Sequence, residues 1–355
     1  MPKGQYEQRL EKDLESIRKR IRRMGKSVVA AIRNATKSVL ARDEALATDT
    51  ILGDLPINRQ DRDLDERCHV FIARHLPSAG HLRFISAAMR LSKTLERAGD
   101  YAETIARAAL QFSKEPPDSI KRDIQDLGQH AADLLEDALE AFDKRRVVDA
   151  RAHRHLVNKY VPVFDRVFAD LVEAGRTGEH PIEDLFALAA VSNRLERIIH
   201  QSKNIAEQTL FAETGERKAE KTFDFLFVDR AGAGASLLAA GFARKAYADA
   251  GTFRCAGWSA ASEPDEAFVE FADSKGIDLN ITVPASFDDI RTHMDDFEFV
   301  VDLDGGIQEH VRKVPFHTTI LRWPLENAQD PVEVHRQLVE HMSDLMETLR
   351  GASDD

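Results

Sequence analysis

Apolar residues recur three and four positions apart along most of the first 212 residues. This spacing puts them on one face of an α-helix and predicts amphipathic helices. Proline and glycine are sparse and fall mostly between these stretches, as at Pro77 and Pro116. The pattern predicts six helices, at about 5–42, 44–74, 78–113, 117–142, 147–175 and 182–212. Pro162 lies inside the fifth and is expected to kink it.

The helical region also contains an internal repeat. MRLSKTLERAGDYAETIARAAL (89–110) and AVSNRLERIIHQSKNIAEQTL (190–210) align without gaps and end the third and sixth predicted helices. Long helices joined by short loops favour antiparallel bundles. We therefore expect two three-helix bundles, at 5–114 and 115–212.

The pattern changes after a polar linker at 213–222. Four short apolar runs, FDFLFV, TFRCAGW, FEFVVDL and HTTILRW, alternate with helical stretches at 235–250, 263–275 and 331–350. Continuous apolar strands that alternate with helices are typical of a parallel sheet covered on both faces. The sequence thus predicts a multidomain chain whose second part, 223–351, is an α/β domain with a four-stranded parallel sheet.

Composition and charge exclude several classes of protein. The formal net charge of −12 makes nucleic acid an unsuitable partner. The two cysteines, Cys68 and Cys255, form neither a disulfide framework nor a CxxC metal pair. No apolar run approaches membrane-spanning length, and the charged N-terminus lacks a signal-peptide core. We expect a cytoplasmic protein that is at most peripheral to membrane complexes.

Acidic residues at helical spacing are candidate metal ligands. Glu96 and Asp100 are four residues apart in LERAGDY, and Asp61 and Asp65 have the same spacing in the second predicted helix. If those two faces pack together, four carboxylates converge and could hold a cation. The alternative is a solvated charged face paired with nearby arginines.

The segments HLPSAGHLRFISAAMRLSKTLERAGDYAETIA and NRLERIIHQSKNIAEQTLFAETGE resemble the repeated signature of the PhoU family of phosphate-uptake regulators. The resemblance covers 5–216. It implies two three-helix bundles, metal clusters bound by E/D-x-x-x-D motifs, and negative regulation of phosphate import. It also implies contacts with a phosphate ABC transporter ATPase or its partner sensor kinase, and self-association as a homodimer.

The metal ligands transfer to this chain unevenly. Asp61, Asp65, Glu96 and Asp100 match the family pattern in the first repeat. The second repeat retains Glu196 and Asp165, but His200 and Val161 stand at positions that are acidic in the family. The resemblance therefore implies Fe, Zn, Mn or Mg, more in the first bundle than in the second, and no organic cofactor.

The stretch FLFVDRAGAGASLLAAGFAR (225–244) reads as a strand, a loop and a helix, which is the form of a phosphate-binding loop. It resembles the opening of low-molecular-weight protein tyrosine phosphatases and arsenate reductases. Asp229 stands at the position of their nucleophilic cysteine, Gly232 at that of the loop asparagine and Ala235 at that of the clamping arginine. Of these loop residues of the family, only the serine is retained, as Ser236. Gly234 completes the altered loop.

These substitutions predict a domain without phosphatase activity. A carboxylate at position 229 repels phosphate, and Ala235 cannot clamp its oxygens. We expect a regulator of phosphate uptake and phosphate-responsive signalling that acts through protein contacts, with the second domain as an inactive, phosphatase-like binding module. The alternatives are an active phosphatase or arsenate reductase with an atypical site, and a metal-binding or metal-sensing bundle.

Overall fold

The computed structural model describes residues 3–156, 160–216, 221–279, 285–291, 294–312, 314–315 and 318–351. The chain divides into two compact units, residues 1–218 and 219–355, termed here the helical unit and the α/β unit. None of the described helices is both long enough and apolar enough to cross a membrane.

The described part of the helical unit consists of long helices. They are α1 (Lys3–Ala41), α2 (Glu44–His75), α3 (Ala79–Ala109), α4 (Asp118–Asp143), α5 (Val147–Leu156), α6 (Val161–Thr177) and α7 (Ile182–Thr214). The prediction of one kinked helix at 147–175 is wrong, because α5 and α6 are separate helices. Pro162 lies in the first turn of α6, where its fixed φ favours helix initiation and its missing N–H costs nothing.

The helices pack in two groups that share an interface. Helices α1, α2 and α3 contact one another, and α4 and α7 contact each other and the α5–α6 pair. The groups meet where α1 packs on α4 and α3 on α7. At the α1–α4 contact, a Cβ on Gly128 would lie only 2.3 Å from Thr36 Cγ2, so glycine permits the close approach.

One apolar core runs through both groups. It includes Val28, Ile32, Leu91, Ile124 and Leu195, all with no exposed surface. Each such side chain contributes about 1.5–3 kcal/mol when it is buried. Burial of one face per helix accounts for the three- and four-residue spacing in the sequence.

The described α/β unit contains five strands and five helices. The strands are β1 (Phe223–Asp229), β2 (Gly251–Gly257), β3 (Ala285–Ser286), β4 (Phe299–Asp302) and β5 (Thr319–Arg322). The helices are α8 (Ala235–Ala246), α9 (Glu266–Ser274), α10 (Phe287–Arg291), α11 (Ile307–His310) and α12 (Pro331–Arg350), and a short 3-10 turn lies at Met294–Asp296.

All strand pairs are parallel, in the order β3-β2-β1-β4-β5. The predicted number of four strands is wrong, because the two-residue β3 adds a fifth at one edge. In the central strand, Phe225 pairs with Phe253 on β2 and Phe299 on β4. Its ring stacks on both neighbours, with centroids 5.1 and 5.0 Å away. Cross-strand aromatic pairs of this kind help to fix the register.

Candidate functional site

The predicted metal ligands of the first repeat lie on α2 and α3, which pack against each other. Asp61 is buried, and its carboxylate accepts hydrogen bonds from Ser92 Oγ at 2.9 Å and Lys93 Nζ at 2.6 Å. Asp65 is more exposed and lies 3.4 Å from His69 Nδ1. Asp61 therefore has its partners across the interface on α3, whereas the partner of Asp65 lies one turn further along α2 itself.

Burial raises the pKa of Glu96 and of Asp100 on α3. The charges of Asp100 and Asp61 raise the pKa of Glu96 further, and Glu103 does the same for Asp100. Asp54 on α2, which the motif comparison did not identify, belongs to the same group. Burial and the charge of Asp100 raise its pKa too, and its Oδ1 has no hydrogen-bond partner. Asp54 lies seven residues before Asp61, on the same face of the helix, and this spacing could have identified it in the sequence.

These carboxylates lie close enough to influence one another, but the structure does not assemble them as a metal centre. Among the residues it describes, no three His, Cys, Asp or Glu side chains are placed to hold a metal ion. In the second repeat, Glu196 Oε1 lies 3.8 Å from His200 Nε2, one helical turn apart on α7. The side chains of Asp165 and Val161 lie outside the described part of the chain.

In the loop after β1, backbone N–H groups donate hydrogen bonds to the carboxylate of Asp229. Asp229 ends β1 and is 9 % exposed. Its Oδ1 accepts the N–H of Gly232 at 2.5 Å, and its Oδ2 accepts the N–H of Ser236, in the first turn of α8, at 2.7 Å. Burial raises the pKa of Asp229, and these two N–H donors oppose that rise. The side chain thus occupies donors that a strand–loop–helix motif normally directs at a bound anion.

Two glycines allow this loop to form. Gly232 has φ +68°, and a Cβ there would lie 2.7 Å from the backbone nitrogen of Gly257. A Cβ on Gly257 would lie 2.4 Å from the carbonyl carbon of Ala231. The loop therefore presses against the end of β2 with backbone on backbone. Gly234 precedes α8 and faces the ring of Phe268.

A cavity of about 550 Å³ lies at the carboxyl ends of β1 and β4. The strand order reverses between these two strands, and open parallel sheets commonly bind ligands at such a point. Among the described residues, the lining includes four acids, Asp229, Glu263, Asp265 and Asp304, and one guanidinium, that of Arg230. This lining is unfavourable for a phosphate dianion.

Four further described residues bear on the groups that phosphatase chemistry would need. Ala235, at the position of the clamping arginine, lines the cavity with a methyl group. Burial, and then the charge of Asp229, raises the pKa of Cys255 to about 12, so its thiol stays protonated. Asp330, which with Asn327 is near the position of the general acid in the phosphatases that the domain resembles, caps α12 by accepting the N–H of Val332 at 3.0 Å. Ser236 is completely buried.

The helical unit and the parallel α/β unit together define a two-unit chain whose helical part has known relatives. Residues 21–109 match the family model of the PhoU domain. The chain is 29 % identical over 199 residues to the phosphate-specific transport system accessory protein PhoU of Serratia marcescens. That match covers 55 % of this chain and 80 % of the relative. A PhoU homolog from Aquifex aeolicus is 33 % identical over 134 residues, which are 38 % of this chain and 61 % of the relative.

Solved structures give the same assignment for the helical fold. The crystal structure of PhoU from Pseudomonas aeruginosa matches with a TM-score of 0.56 at 25 % identity, over 58 % of this chain and 99 % of that one. The PhoU structure from Streptococcus pneumoniae matches with a TM-score of 0.53 at 22 % identity, over 60 % and 99 %. The predicted resemblance of the helical half to PhoU is confirmed. The resemblance of the α/β unit to phosphatases stays a prediction.

Proposed function

We propose that this chain is an accessory regulator of a phosphate transport system and acts through contacts with other proteins. The observation that carries the proposal is the match of residues 21–109 to the PhoU domain, within a helical unit whose fold matches PhoU structures. The relatives that match are named as accessory proteins of phosphate-specific transport. The partners we propose are the transporter ATPase and the sensor kinase of the phosphate response, with a second copy of the chain as a further partner.

The test combines a genetic and a biochemical readout. Deletion of the gene should raise expression of a phosphate-starvation reporter in cells grown in high phosphate, and the intact chain should restore repression. The tagged chain should retain the transporter ATPase or the sensor kinase when it is purified from those cells. An unchanged reporter together with recovery of neither partner would exclude the regulatory role.

For the α/β unit we propose a binding function without catalysis. Phosphatase chemistry of this type needs a thiolate nucleophile and an arginine that binds the phosphoryl oxygens. The loop instead has Asp229, which takes the donors of Gly232 and Ser236, and Ala235. A phosphate monoester entering this loop would have to displace a buried carboxylate and would meet its charge at close range.

An assay with p-nitrophenyl phosphate tests the proposal that the α/β unit lacks phosphatase activity. The full chain should give no turnover above that of Asp229→Ala. Turnover in the native chain that disappears in Asp229→Ala would favour an aspartyl nucleophile and an enzymatic role. Asp273→Asn is the matched control, because Asp273 is an exposed aspartate on α9, away from the loop.

Metal binding by the helical unit is a second candidate role. The observation that favours it is that burial and the charge of Asp100 raise the pKa values of Asp54 and Glu96, a repulsion that a cation would relieve. As placed, the described carboxylates do not form a metal centre, so a bound cation would have to draw Asp54, Glu96 and Asp100 together. Elemental analysis of protein purified without chelator tests it. Stoichiometric Fe, Zn or Mn that is lost in Glu96→Gln/Asp100→Asn would support the role, and an equal metal content in both proteins would contradict it.

A further inference from the structure

A second cavity, of about 220 Å³, lies within the helical unit where its two groups of helices meet. Helix α1 contributes Arg18, the start of α3 contributes Arg83, and the turn after α4 contributes Arg145. Glu213, near the end of α7, is the acid in the lining. Arginines far apart in the sequence therefore surround a small space between the helices.

Arg18 is the most buried of these cations. Its side chain is 12 % exposed, and its guanidinium carbon lies 4.8 Å from the centre of the Phe84 ring. Its Nη2 is completely buried and has no hydrogen-bond partner, while Nη1 is 3.9 Å from Glu11. Burial lowers the pKa of Arg18, and the charge of Arg145 lowers it further. A buried, unsatisfied donor on a charged group is costly unless a partner is supplied.

The neighbouring groups of the described chain supply charge but no hydrogen bond to that donor. Arg83 has a buried Nε without a hydrogen-bond partner, and it lies beside Gly215 at the end of α7. Arg145 Nε is 3.6 Å from Glu213 Oε1, beyond hydrogen-bond distance. The charges of Glu11, Glu15 and Glu213 raise the pKa of Arg18, but by less than burial and the charge of Arg145 lower it.

The backbone adds to the positive character of the cavity. Helix α3 starts beside it, and Ser78, at the N-cap, makes no side-chain capping hydrogen bond. The positive end of a 31-residue helix therefore lies next to the arginines. Guanidinium groups and helix N-termini both recognise phosphoryl oxygens.

From these observations we infer that the cavity is a binding site for a small tetrahedral oxyanion of the phosphate class, held by Arg18, Arg83 and Arg145. The ligand is either free inorganic phosphate or the phosphoryl group of a small phosphorylated molecule. Because the arginines come from both groups of helices, a bound oxyanion bridges them and couples occupancy to their packing. This inference concerns binding alone and does not depend on the regulatory role proposed above.

The test is calorimetric titration of the full chain with inorganic phosphate, and separately with a phosphomonoester, at constant ionic strength. Arg18→Met keeps an apolar stem against Phe84 and removes the buried charge. We expect saturable binding to the native chain and at least about tenfold weaker binding to Arg18→Met, which is the size of one charge-assisted hydrogen bond. Arg176→Gln is the matched control, because it removes an arginine that is 73 % exposed on α6 and should leave binding unchanged.

Folding of the variant is checked by far-ultraviolet circular dichroism. Without ligand, Arg18→Met should be at least as stable as the native chain, because it loses an unsatisfied buried charge. Saturable binding of phosphate supports free phosphate as the ligand, and binding of the phosphomonoester alone supports a phosphorylated molecule. Absence of saturable binding for both ligands, or equal binding by the native chain and a folded Arg18→Met, would overturn the inference.

Discussion

Replacement of Asp229 by asparagine tests whether its carboxylate holds the loop of the α/β unit together. Asparagine keeps the shape of the side chain, but it offers one acceptor oxygen where two N–H groups donate. One buried N–H, from Gly232 or Ser236, must then face an amide NH₂ group. Relief of the buried charge favours asparagine, since burial raises the pKa of the native carboxyl.

The magnitudes decide the sign of the effect. A buried donor left without an acceptor costs about 1–3 kcal/mol, and the remaining hydrogen bond loses its charge assistance. We expect Asp229→Asn to lower the free energy of unfolding by about 1–3 kcal/mol. Asp229→Ala should cost more, because it leaves both donors without an acceptor.

Tryptophan fluorescence during urea unfolding measures this effect in the α/β unit alone. The chain has two tryptophans, Trp258 and Trp323, and both lie in that unit. Asp273→Asn, an exposed change on α9, should stay within about 0.5 kcal/mol of the native value. If Asp229→Asn were as stable as the native chain or more so, burial of the charge would outweigh the hydrogen bonds, and the structural role inferred for Asp229 would be wrong.

Three further predictions concern the helical unit, and circular dichroism during urea unfolding measures each of them. Gly128→Ala should cost about 1–3 kcal/mol by forcing α4 away from Thr36, whereas Gly53→Ala, which meets no atom within 4 Å, should gain about 0.5–1 kcal/mol. Burial alone would raise the pKa of Asp184, but hydrogen bonds from the Ser113–Lys114 segment outweigh burial and hold the pKa below 3.8. The native chain should therefore be more stable than Asp184→Asn above pH 3.8, and this advantage should fade as the pH falls through the pKa of the folded state. Burial lowers the pKa of His153 below 6.5. The contribution of the neutral side chain to the free energy of unfolding should therefore be full above pH 6.5 and be lost as the pH falls through the lowered pKa. His153→Gln should remove this pH dependence, and a pH profile unchanged by the substitution would contradict the assignment.

Hydrophobic spacing predicted most helices to within a few residues, because each helix buries one face in a common core. The predicted 44–74, for instance, is α2 at Glu44–His75. The spacing could not show that α5 ends at Leu156, since Pro162 suits both a kink and the first turn of a new helix. Strand β3 has only two residues, too few for any periodic signal.

The candidate sites were only partly predictable. Spacing identified Glu96 and Asp100, but the hydrogen bonds of Asp61 with Ser92 and Lys93 depend on how α2 and α3 pack. The loop motif predicted that the carboxylate of Asp229 disfavours bound phosphate. It did not indicate that the carboxylate itself accepts the loop donors, because that depends on the φ angle of Gly232 and on close contact with β2.

The two cavities differ in what satisfies their charged groups, and this difference gives them different responses to an anion. In the α/β unit, the N–H groups of Gly232 and Ser236 already donate to the internal carboxylate of Asp229, and the charge of that carboxylate opposes a bound oxyanion. In the helical unit, the Nη2 of Arg18 and the Nε of Arg83 have no hydrogen-bond partner. A ligand that binds only the folded state stabilises it in proportion to its affinity. Phosphate should therefore stabilise the helical unit and leave the unfolding of the α/β unit unchanged. Because both tryptophans lie in the α/β unit, circular dichroism should report the phosphate effect and tryptophan fluorescence should not.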